Sequence, residues 1–81
     1  MSATDFLDEV SLPPLIRTHT AHHLARLERA ADLHALERAQ ERAEGFVEGV
    51  EAARALTPAT IEALFIALNN AADERRMGLT A

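Results

Sequence analysis

The sequence predicts an all-α protein, and three observations carry that expectation. Ala, Leu, Glu and Arg dominate the chain, and runs of β-branched residues are almost absent. One helical pattern extends from residue 12 to 56, opposed only by Pro13, Pro14, Gly45 and Gly49. A second runs from 58 to 77 and opens on the clearest boundary in the chain. The expected architecture is a long helix with a shorter antiparallel helix folded against it. That helical hairpin would dimerise into a helical bundle; the alternative is a three-helix bundle.

Residues 1–11 read as an N-terminal arm. Ser2 or Thr4 can cap a short turn that sets Phe6, Leu7 and Val10 on one side, with Asp5, Asp8 and Glu9 around them. Such an acidic, apolar segment can dock into a partner's groove or pack on its own domain.

Residues 12–78 form the single domain, and residues 79–81 a tail. Ser11 is the expected N-cap of the long helix, with Leu12, Pro13 and Pro14 in its first turn, where missing N–H groups cost nothing. At 1.5 Å per residue this helix would be roughly 65 Å long, and its partner only roughly 30 Å. The final helix has Thr57 as its cap, Pro58 at its first position, and Leu56 and Ile61 placed for a hydrophobic staple. Ile61, Leu64, Phe65, Leu68 and Ala72 follow one face. Arg75 and Arg76 suit the negative end of its dipole, and Gly78 is a suitable stop.

The long helix has two apolar sides. Leu33, Leu36, Gln40, Ala43, Val47 and Val50 form a heptad-like seam for the final helix. Leu24, Leu27 and Ala31 lie nearly opposite, and their side continues into Gly45, Gly49 and Ala52. In an antiparallel second copy, Leu27 would meet Gly49, Leu24 would meet Ala52 and Ala31 would meet Gly45. These six residues are therefore the expected dimer interface. The competing arrangement breaks the helix near Ala31 and Asp32, with Asp32 as an N-cap. No Gly or Pro marks such a break, and Ala30 and Ala31 favour continuity.

Composition narrows function. The net charge of −5 argues against a general nucleic-acid binder. All eight cations are Arg, so Lys nucleophiles are excluded, and the chain has no Cys. No Gly-rich phosphate loop and no nucleophile with a positioned base is present, so the chain reads as non-enzymatic and no cofactor is expected. No apolar run approaches the ~18 residues of a membrane span, and no secretion signal opens the chain, so the expected location is cytoplasmic.

Two patterns remain as candidate sites. His19, His22 and His23 stand at i, i+3 and i+4, a spacing that can chelate Zn, Ni or Cu. Glu37, Glu41, Glu44, Glu48 and Glu51 form a row along one helix side. Like charges at i, i+4 repel slightly, so helix stability does not explain the row, whereas a solvated face or a basic partner surface does. The functional expectation is a small acidic interaction module, a regulator or inhibitor that binds and blocks a partner protein. Its partner-binding residues would be the Glu row, Phe6, Leu7 and Ile66. The alternatives are a metal-responsive protein using the His cluster, and a structural subunit without independent activity.

Overall fold

Four helices follow one another: α1 (Ala3–Glu9), α2 (Pro14–Glu28), α3 (Leu33–Ala52) and α4 (Pro58–Thr80). They come from a computed structural model that describes the backbone of residues 3–81 and the side chains of residues 6–81. Among the described residues there is no strand, and no helix is long and apolar enough to cross a membrane. Ser2 and the side chain of Thr4, the expected caps of the arm, lie outside the described residues.

The continuous helix expected over residues 12–56 is divided, and the longest dimension of the molecule is 37 Å. Asp32 makes the break. It is extended (φ −153, ψ 176), and its Oδ1 accepts the Ala35 N–H at 2.7 Å as an N-cap. The Ala30 carbonyl accepts the Arg75 Nε–H of α4 at 2.8 Å. The driving force is apolar burial. On a straight rod the Leu24–Leu27 side and the Leu36–Val47 side face apart. Folding back at residues 29–32 brings Leu24, Leu27, Leu36, Ala43 and Val47 into one core. Burying a Leu is worth about 1.5–3 kcal/mol, against about 0.5–1.5 for each helical hydrogen bond given up. The local preference of Ala30 and Ala31 for helix is smaller than either.

Helix α2 begins later than expected. Pro13, not Ser11, holds the cap position without a side-chain cap, and Pro14 opens the helix. Leu12 is thereby freed from the helix and buried in the core. From α2, the Arg17 guanidinium reaches back to α1, donating from Nη1 to the Leu7 carbonyl and from Nη2 to the Val10 carbonyl, the latter at 3.0 Å. A cation there satisfies the carbonyls at the negative end of α1. Phe6, Leu7 and Val10 pack against the core, so the arm rests on its own domain.

Helix α3 ends in a Schellman motif. The Arg54 N–H donates to the Glu51 carbonyl and the Ala55 N–H to the Val50 carbonyl, with Arg54 at φ 54. The start of α4 matches the sequence: Thr57 Oγ1 accepts the Thr60 N–H at 3.2 Å, Ile61 is buried and Leu56 half-buried. Its end does not. The helix continues through Gly78 to Thr80, and Leu79 packs against the core, so residue 78 is no stop and residues 79 and 80 are not a loose tail. Helices α3 and α4 share the most extensive packing, and Arg76 ties them by donating from Nη2 to Gln40 Oε1 at 2.9 Å. Ile61, Leu64, Leu68 and Ala72 bring their common face to the core.

Candidate functional site

The fold-back turns two flanks of the former rod toward each other. His22, Arg26 and Arg29 follow one side of α2 and of the turn after it. Arg38 and Arg42, at i and i+4, follow the facing side of α3. Between them lies an open groove of about 580 Å³. Its floor is small and apolar, made by Ala25, Ala30, Ala31, Ala35 and Ala39, and its walls are His22, Arg26, Arg29, Arg38 and Arg42.

The charge distribution is one-sided. Four of the eight arginines line this groove, and among the described residues no Asp or Glu does. Among the described residues the one ion pair is Arg76 with Asp73, far from the groove in sequence. Arg17, Arg75 and Arg76 spend their guanidinium groups on carbonyl or side-chain oxygens of neighbouring helices. The groove arginines have no such internal role among the described residues. Arg26 and Arg29 also stand at the negative end of α2, which favours them there but does not account for Arg38 and Arg42.

Above the groove, the histidines gather around an aromatic ring. His23 lies 4.9 Å from Phe46 between centroids, and His19 lies 5.9 Å from it. His19 and His22 meet edge to face at 6.2 Å. His23 Nδ1 is buried without a hydrogen-bond partner. Burial first, then the positive charges of Arg26, His19, His22 and Arg42, hold His23 below the usual histidine range. Among the described residues no three His, Asp or Glu side chains are arranged to hold a metal ion. His19 and His23, the i, i+4 pair of the histidine cluster, both lie against Phe46.

The expected partner-binding residues fall on two other surfaces. Glu37, Glu41, Glu44, Glu48 and Glu51 are all exposed. At 100° per residue they occupy the flank of α3 next to that of Arg38 and Arg42, about a third of a turn away between centres. Phe6 and Ile66 meet in a second groove of about 330 Å³ between α1 and α4, together with Val10, Ala63, Ala67 and Ala71. Glu9, Glu28 and Glu74 rim it, and Ile66 is 53 % exposed. Leu7 is half-buried beside the core.

The expected dimer residues separate. Leu24 and Leu27 are 2 % and 0 % exposed inside the chain's own core, and the break removes the rod on which the antiparallel pairing depended. Ala31, Gly45, Gly49 and Ala52 stay exposed, and a Cβ added at either glycine would meet nothing within 4 Å. The glycines therefore make no close helix approach within the chain.

Reading net charge alone overlooked the arginine groove. The signal was present in the i, i+4 pair Arg38 and Arg42, which lies beside the Glu row about a third of a turn round the same helix. No family model, curated protein or solved structure matches this chain.

Proposed function

We propose that this chain is a small acidic α-helical interaction module that binds another protein and blocks part of its surface, as a regulator or inhibitor in the cytoplasm, without a chemical step of its own. The observation that carries the reading is the α1–α4 groove. It joins Phe6 and Ile66 on an apolar floor and surrounds them with Glu9, Glu28 and Glu74. An apolar floor inside an acidic rim complements a basic amphipathic helix, whose apolar face fills the groove while its Arg or Lys side chains meet the rim. The Glu row of α3 extends the same charge over a second exposed face. For self-association, Ala31, Gly45, Gly49 and Ala52 of the expected interface remain exposed, whereas Leu24 and Leu27 are buried.

The test is capture of partners from source lysate by tagged wild-type protein and by Ile66→Arg, identified by mass spectrometry at low and moderate salt. Ile66 is exposed, so the variant folds. The reading requires a near-stoichiometric partner that Ile66→Arg loses and that salt weakens. A partner held equally by both proteins moves the contact to another face. A clean lane for wild type overturns the module.

A further inference from the structure

The groove between α2 and α3 is distinct from the partner groove and has the opposite sign. A cleft of about 580 Å³ falls in the range of small-molecule sites. Its chemistry is selective for oxyanions. Guanidinium groups stay charged at any physiological pH and offer forked donors that match phosphate oxygens two at a time. Arg26, Arg38 and Arg42 reach the cleft from two separate helices, so they can surround an anion, not merely line a path. Among the described residues no carboxylate in the lining competes for them. The alanine floor leaves room above the backbone and offers an apolar surface.

The surroundings limit the size of the anion. Glu37, Glu41, Glu44 and Glu48 follow the adjacent flank of the same helix, about a third of a turn from the arginines, and the whole chain carries −5. An extended polyanion such as a nucleic-acid strand would run out of the groove into that repulsion. A compact ligand with several charges on adjacent oxygens would remain inside. The geometry points to a binding site for a compact polyphosphate, free or carried on a nucleoside, held by Arg26, Arg38 and Arg42 over the alanine floor.

The experiment is isothermal titration calorimetry at low ionic strength, with three probes: inorganic tripolyphosphate, ATP without divalent metal, and a single-stranded oligothymidylate. Wild type is compared with Arg38→Ala/Arg42→Ala and with Glu44→Gln/Glu48→Gln, all exposed positions whose folding circular dichroism confirms. Saturable binding of tripolyphosphate or ATP at one per chain is expected. Affinity of the double-alanine variant should fall about a hundredfold, tenfold for each arginine removed, which corresponds to about 1.4 kcal/mol each. The glutamine variant should bind at least as well as wild type. Tighter binding of ATP than of tripolyphosphate assigns the alanine floor to the nucleoside, and equal binding assigns the site to phosphate alone. The proposal is overturned by the absence of saturable binding, by unchanged affinity in the double-alanine variant, or by preference for the oligonucleotide. Because Ile66 lies outside this groove, these results are independent of partner capture.

Discussion

Arg75 donates its Nε–H to the carbonyl oxygen of Ala30, 2.8 Å away, and so joins the last helix to the turn where α2 ends. The acceptor is one of the carbonyls that the break between α2 and α3 deprives of a helical donor, and the donor arrives from a residue 45 positions later. Arg75→Ala should lower stability by about 1.5–3 kcal/mol, the range for a hydrogen bond from a charged group. Arg75→Lys should recover little, because an ammonium lacks the Nε–H at that depth. Urea denaturation followed by circular dichroism measures both.

Asp32 supports the same turn locally, through its 2.7 Å bond from the Ala35 N–H. Asp32→Ala should cost about 1 kcal/mol, and Asp32→Asn or Asp32→Ser much less, because either still presents a capping oxygen. A stability unchanged in Asp32→Ala would show that the turn is held by packing and Arg75 alone.

Leu27 distinguishes a core residue from an interface residue. It is 0 % exposed within a single chain. Leu27→Ala should lose about 3 kcal/mol, and Leu27→Arg should abolish cooperative unfolding by burying an unpaired cation. A folded Leu27→Arg monomer, seen by sedimentation, would return this residue to an oligomer surface.

His23 predicts a pH dependence. Its folded pKa lies below the ordinary value of 6.5, through burial and the charges of Arg26, His19, His22 and Arg42. Between those two values the unfolded chain binds more protons than the folded one, so stability rises with pH across that window. The contribution is fully present above 6.5 and is lost as pH falls from there toward the depressed pKa. Urea midpoints should therefore drop on acidification, and His23→Leu should reduce the slope. An equal slope in the variant would assign the effect to other groups.

Helix α3 ends with two residues whose types suit each other's places. Arg54 occupies the left-handed region at φ 54, where Arg54→Gly should stabilise by about 1 kcal/mol. Gly49 lies in an exposed helical position with open space at its Cβ, where Gly49→Ala should stabilise by about 0.5–1 kcal/mol. Thermal melts of the two variants check both signs.

The legible parts of this fold were those set by local chemistry. Thr57, Pro58, Leu56 and Ile61 marked the start of α4 because a cap, a fixed φ and a staple act within one turn. The face from Ile61 to Ala72 was legible because its period is that of a helix. The break at Asp32 was legible only as the competing arrangement, because what decides it is distant. Leu24 and Leu27 need the same core as Leu36 and Val47, and Arg75 must be at hand to donate to Ala30's carbonyl. Asp32 was visible as a possible cap but had to compete with two alanines. The arginine groove was hidden for the same reason, since Arg26 and Arg42 become neighbours only once the chain folds back. Phe6 and Ile66 are each legible as contact residues, but their meeting in one groove depends on where α1 lands.

The placement of Phe46 against His23 supplies something that a chain without Trp or Tyr otherwise lacks, a reporter of its own fold. Ring currents from the phenylalanine displace the imidazole carbon-bound protons of His23, and less strongly those of His19, from their free positions. In D2O, once the amide protons have exchanged, those resonances share the aromatic region only with the other histidines and the three phenylalanines. One-dimensional nuclear magnetic resonance on unlabelled protein can therefore follow assembly of the α2–α3 seam, titration of its histidine and occupation of the groove beside it in a single sample.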